Sequence, residues 1–174
     1  NARLLAKDNK DREAVTVLLE TGDFLKNYPP GLYLMAYLNL KQNQLEQAEA
    51  NLNALLNLVP GEATGTRLLA GLYLRKNRPQ KAIELLKDIA VDDGTNEELI
   101  ALLASAHLRA GNTDEAARLF EIAAKERPDD PELKTRLALT RLQGGKPEAA
   151  VAELNDILKT NPDATRAQRL LVLT

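Results

Sequence analysis

Apolar residues return along this chain at a fixed interval of 34 positions, and that interval sets the first expectation for its architecture. Alanine stands at Ala14, Ala48, Ala82, Ala116 and Ala150, with no slip between copies. A second small-residue column runs Ala2, Ala36, Ala70, Ala104 and Ala138 and then meets Val172. Large apolar residues keep the same step in Leu18, Leu52, Leu86, Phe120 and Leu154, and again in Met35, Leu69, Leu103, Leu137 and Leu171. A sequence that resembles itself at such a period is a stack of equal supersecondary units, each too small to bury its own apolar face. The alanine columns mark where two helix backbones cross closely, and the large residues fill the space around them.

Punctuation follows the same register. Asn9, Asn43, Asn77, Gly111 and Gly145 form a column of residues that tolerate the left-handed conformation ending a helix. A second helix is expected to open two residues later. Pro79 and Pro147 suit its first turn, and Asn112 or Thr113 suits its N-cap. Pro60, Gly94, Pro128 and Pro162 then close it. The unit is helix, tight turn, helix, stop. Residues 97–130 show it best, through Leu103, Ala104, Gly111, Ala116, Phe120, Ala123 and Pro128.

This pattern resembles the tetratricopeptide repeat (TPR). The units read 29–62, 63–96, 97–130 and 131–164, with an irregular partial repeat over 1–28 and a further or capping helix over 165–174. The chain departs from the family pattern at "TGDFLKNYPPG" (21–31), where Lys26 takes the place of the closing proline and Pro29 and Pro30 follow three residues later. A longer second helix is expected there, offset by a shorter linker. The resemblance implies an all-α fold of stacked antiparallel helix pairs, a single array over 1–174 that winds as a right-handed α-α superhelix. Five units make an open arc, with the first helix of each unit lining its inner groove.

That groove is the candidate site. One column on its face reads Lys7, Lys41, Arg75, Arg109 and Gln143, four of them bases at the repeat spacing. Another carries Tyr33, Arg67 and Arg169, and a third carries Arg3, Tyr37 and Gly71. Tyr33 and Tyr37 lie one turn apart as an exposed pair facing Arg67, with Lys41 a turn further, and Gly71 lets a bound chain approach the backbone. Tyr33, Tyr37, Lys41, Arg67, Arg75, Arg109 and Arg169 thus suit an extended, acidic protein segment. The same cations also sit in the last turns of helices, where they complement the helix dipole without any ligand. Glu98 and Glu132 on this face are placed to balance them.

Composition narrows the chemistry. Lysine plus arginine (23) nearly match aspartate plus glutamate (25), giving a net charge of −2, and aromatics are 3% of 174 residues. Neither the basic surplus nor the stacking platforms of a nucleic-acid binder are present. The chain has no cysteine, so neither disulfides nor thiolate metal sites arise from it. His107, the single histidine, falls where the family packs an aromatic residue and reads as a packing residue. "VDDGTNEE" (91–98) lacks the alternating oxygen ligands of a calcium loop. No phosphate loop or nucleophile elbow is placed, so no enzyme, cofactor or metal is expected. No run of 18 apolar residues exists to span a membrane.

Two stretches, "TRLLAGLYLRKNRPQKAIELL" (66–86) and residues 116–154 followed by "ATRAQRLLVLT" (164–174), resemble the TPR lipoproteins of the PEP-CTERM/exosortase system. The chain opens on "NARLLAKDNK" without a methionine and reads as an excised piece. That resemblance implies an extracytoplasmic scaffold, periplasmic or anchored to the outer membrane, beside exopolysaccharide and protein-sorting machinery. The alternatives are a protein that binds or guides exopolysaccharide, using Tyr33 and Tyr37, and a cytosolic co-chaperone. The co-chaperone clamp needs a lysine and an asparagine four residues apart on one first helix. The pairs here are Tyr33/Tyr37, Arg67/Gly71, Ala101/Ser105 and Thr135/Leu139.

Overall fold

A computed structural model of the chain describes residues 2–8, 10–88 and 97–174. The expected stops at Asn9 and Gly94, and most of the 91–98 stretch, lie outside the described residues. Among those described there are twelve helices and no strand. They are α1 (Ala2–Lys7), α2 (Asp11–Leu19), α3 (Asp23–Lys26), α4 (Pro29–Lys41), α5 (Leu45–Leu58), α6 (Ala63–Arg75), α7 (Pro79–Leu86), α8 (Glu97–Arg109), α9 (Thr113–Glu126), α10 (Pro131–Gln143), α11 (Pro147–Thr160) and α12 (Thr165–Val172). The chain forms two compact units, Asn1–Leu72 and Tyr73–Thr174, each considered by itself below.

The tight turns form where residue type allows. Asn43, Asn77, Gly111 and Gly145 hold φ of 59°, 54°, 85° and 74°, and a helix starts two residues after each. Each turn closes with a pair of backbone bonds that satisfies carbonyls left open at the helix end. At Gly111 the amide donates to the Leu108 carbonyl (3.1 Å), and the Asn112 amide donates to that of His107 (2.9 Å). The same pair recurs at Asn43, Asn77 and Gly145. Helices α5, α9 and α11 end two residues before Pro60, Pro128 and Pro162, because the residue ahead of a proline is pushed out of the helical region.

Packing follows the columns. Ala14, Ala48, Ala82, Ala116 and Ala150 are all 0% exposed, as are Leu52, Leu86, Phe120 and Leu154. A large side chain buried in this way gains about 1.5–3 kcal/mol relative to exposure. In the first unit Ala2, Ala14, Leu18, Met35 and Leu38 form one apolar cluster; in the second, Ala138, Ala150, Leu154, Ile157 and Ala167 form another. Val172, the last member of its column, is instead 86% exposed.

One local expectation is corrected. The stretch 21–31 does not lengthen the second helix. Helix α2 stops at Leu19, Gly22 turns the chain at φ 56°, and α3 supplies a separate single turn before α4 starts at Pro29. Gly22 adopts a backbone conformation that side-chain-bearing residues avoid, and Pro29 can only begin a helix. The register is recovered by this extra turn, which packs so closely that a Cβ on Gly31 would lie 2.6 Å from Leu25 Cδ1. Of the two residues expected to suit the N-cap of α9, Asn112 takes that position, without a side-chain cap bond. Asp130 caps α10, accepting from the Glu132 amide (2.9 Å) and the Leu133 amide (3.2 Å). Glu62 does the same for α6, accepting from the Thr64 amide at 3.1 Å.

Candidate functional site

In the first unit, α4 carries three of the residues singled out by sequence. Pro29 and Pro30 start this helix, and its apolar residues Leu32, Met35, Ala36 and Leu38 are buried, so Tyr33, Tyr37 and Lys41 fall along one less buried stripe. Tyr37 is 42% exposed. Tyr33 is half-buried rather than exposed, because it turns into a cavity of about 760 Å³ together with Arg3, Tyr28 and Leu34. Lys41 is held: its Nζ lies 2.8 Å from Asp11 Oδ2 on α2 and 6.0 Å from the centre of the Tyr37 ring. The bond to Asp11 raises its pKa above that of an ordinary lysine. Arg67 is exposed on α6. A Cβ placed on Gly71 meets no atom within 4 Å, so that stretch of backbone is open.

In the second unit, Arg75 is exposed at the end of α6 and Arg169 is exposed on α12. Arg109 spans two helices: its Nη1 donates to the Leu74 carbonyl at 2.7 Å. It thereby helps to satisfy the C-terminal end of α6, whose last carbonyls have no partner within the helix.

Beside Arg109 lies a cavity of about 380 Å³, bounded by Ser105 on α8, Arg136, Leu139 and Gln143 on α10, and Arg166 on α12. Every charged side chain lining it is an arginine. Arg136 donates from Nε to Glu132 Oε1 (2.9 Å) and from Nη1 to Ser105 Oγ (3.2 Å). Ser105 Oγ in turn donates to the Ala101 carbonyl at 2.8 Å. Arg166 Nη1 donates to the same Glu132 oxygen. One carboxylate thus bridges two guanidinium groups on different helices, and a serine from a third steadies one of them.

Sequence reading did not single out Arg136 or Arg166. The signal was present: both lie on first helices of repeats, Arg136 one turn after Glu132 and Arg166 one full period after it. The expectation that Glu132 balances cations on this face corresponds to two bonds. Which cations it balances was not readable.

Two further polar groups occupy other parts of the unit. His107 is half-buried, and its Nδ1 lies 3.2 Å from Asn112 Nδ2, so this nitrogen accepts and Nε2 carries the proton. Burial lowers its pKa, which keeps it neutral at pH 7. Arg141 on α10 bonds Glu153 Oε2 (2.9 Å) and Glu121 Oε1 (3.0 Å). The Glu153 side chain is only 17% exposed, and this burial raises its pKa despite the neighbouring arginine. Among the described residues no group of three or more histidines and carboxylates is placed to hold a metal ion.

Similar proteins agree with this architecture. Models of the tetratricopeptide repeat match residues 33–97 and 107–172. Among solved structures, one described as YrrB, a TPR protein with an unusual peptide-binding site, has a TM-score of 0.85 at 15% identity, covering 97% of this chain and 87% of that one. MamA from Desulfovibrio magneticus RS-1 has the same TM-score at 15% identity, covering 94% of this chain and 92% of that one. A MamA structure from AMB-1 reaches 0.81 at 21% identity, over 94% and 96% of the two chains. Such identities establish the fold, a TPR-type stack of helix pairs. No curated protein sequence matches the chain. With its 34-residue columns, its four paired turns and two repeat matches that together span most of its length, the chain belongs to the tetratricopeptide-repeat family.

Proposed function

We propose that the chain is a non-catalytic interaction scaffold, and that the first-helix face of its second unit captures an extended acidic segment of a protein partner. The observation that carries this reading is the cavity lined by Arg109, Arg136 and Arg166. Arginine presents paired donors that match a carboxylate, and a charge-assisted bond of this kind is about twice as strong as a neutral one. Arg109 lines the cavity while bonded to the Leu74 carbonyl, whereas the Arg136 and Arg166 side chains are 36% and 43% exposed and share Glu132. A fluorescein-labelled deca-glutamate peptide tests the reading. Binding should weaken as salt is raised and should be lost when Arg136 and Arg166 are both changed to glutamate, with helical circular dichroism retained. Equal binding by the double variant refutes the location.

An exopolysaccharide ligand is a second reading, supported by Tyr28 and Tyr33 in the 760 Å³ cavity of the first unit. Retention on a polysaccharide matrix that is lost on Tyr33→Ala would favour it. We further propose that the protein works in the cell envelope beside exopolysaccharide or protein-sorting machinery. The resemblance of residues 66–86 and 116–174 to the PEP-CTERM TPR lipoproteins supports this. Recovery of the native protein wholly in the cytosolic fraction of its own cells would refute it.

A further inference from the structure

We propose that Glu132 is a built-in competitor for the arginine site, and that an acidic partner binds by displacing its carboxylate. The inference rests on the capture site proposed above and adds how that site is tuned. Glu132 Oε1 accepts from Arg136 Nε at 2.9 Å and from Arg166 Nη1, so it already occupies the position where a ligand carboxylate would gain most. It is not locked there. Its side chain is 45% exposed, and those of Arg136 and Arg166 are 36% and 43% exposed. Exposed ion pairs of this kind are individually weak, so a carboxylate from a partner can exchange with them at little cost. The contrast within the same unit is Glu153, whose side chain is only 17% exposed beside Arg141, so its departure would disturb a largely buried pair.

The arginine most affected is also held from its other side. Ser105 Oγ accepts from Arg136 Nη1 at 3.2 Å and is itself anchored to the Ala101 carbonyl. Arg136 therefore keeps its direction when Glu132 swings out, and the exchange replaces one carboxylate by another. A neutral or basic peptide offers no such replacement. Glu132 thus raises the threshold for binding and favours ligands with carboxylates dense enough to outcompete it.

The test compares wild type, Glu132→Gln, Glu132→Ala and the pair Arg136→Gln with Arg166→Gln, all binding labelled deca-glutamate at low salt. Both Glu132 variants should bind about three- to tenfold more tightly, from the removal of two weak competing pairs. Labelled deca-glutamine should bind none of the proteins. Weaker or unchanged binding by both Glu132 variants, with binding lost in the arginine pair, overturns the competitor role and leaves the capture site standing. Binding that persists in the arginine pair, or is absent from every protein, overturns both. Two substitutions of different size, each checked by thermal melting, keep a folding defect from passing as a binding effect.

Discussion

Replacing Arg109 by methionine separates a cation that ties helices together from one that waits for a ligand. Methionine keeps much of the apolar stem and removes the guanidinium, so the change isolates the bond to the Leu74 carbonyl at 2.7 Å. A hydrogen bond to a charged group contributes about 1.5–3 kcal/mol when its loss strands a buried partner. Two observations reduce that figure. The Leu74 carbonyl also accepts from the Asn77 amide at 3.1 Å, so it is not orphaned. Arg109 is itself exposed and regains water in the unfolded chain. A loss of about 1 kcal/mol remains, including part of the cation's interaction with the end of α6. Urea unfolding followed at 222 nm is the assay. With a slope of about 1–3 kcal/mol per molar, the midpoint should fall by roughly 0.3–1 M. Arg169→Met, at an exposed position on α12, should stay within about 0.5 kcal/mol of wild type. Equal midpoints for both variants and wild type would refute the tie. So would an Arg109→Met protein that unfolds as wild type but no longer binds deca-glutamate, which would make Arg109 a ligand residue.

Two glycines should respond to alanine with opposite signs. Gly145 holds φ 74° in open space, so Gly145→Ala should cost about 1–2 kcal/mol through backbone strain alone. Gly71 lies inside α6 and its added Cβ would meet nothing, so Gly71→Ala should gain about 0.5–1 kcal/mol. Equal melting shifts in the two variants would refute the conformational argument. Glu153 should give the second unit an inverted pH response. Burial raises its folded pKa above the unfolded value, so its charged form costs stability at neutral pH, and that cost disappears as pH falls through the raised pKa. Glu115 and Asp156, each lowered chiefly by a bond to a neighbouring cation, act in the opposite sense, so the effect must be read as a difference. The stability of Glu153→Gln relative to wild type should be greatest near pH 7 and shrink as the pH falls through the raised pKa toward that of an ordinary glutamate. A difference that does not change with pH would contradict the burial.

The repeat, the turns at Asn43, Asn77, Gly111 and Gly145, and the buried columns were legible in the sequence, because each depends on what one residue type can do. Only small side chains permit the crossings at Ala48 and Ala116, only a residue tolerant of positive φ can stop a helix as Asn77 and Gly145 do, and Pro128 cannot extend one. These are local or one-body constraints, and the 34-residue period multiplies the evidence for them. The stretch 21–31 was misread because two proline signals outweighed one glycine, and whether Gly22 breaks a helix depends on whether α3 can pack beside α4.

The use of the cations was decided by tertiary structure alone. A lysine or arginine column looks uniform in sequence, yet Lys41 goes to Asp11 and Arg109 to a backbone carbonyl, while Arg136 and Arg166, outside that column, share Glu132. Long charged side chains reach several neighbours and have many rotamers of similar energy. Their partners are selected by what the adjacent helix presents, often some thirty residues away along the chain. Residue type and period therefore determine where this protein's helices lie, and only their packing determines which charges remain available to a partner.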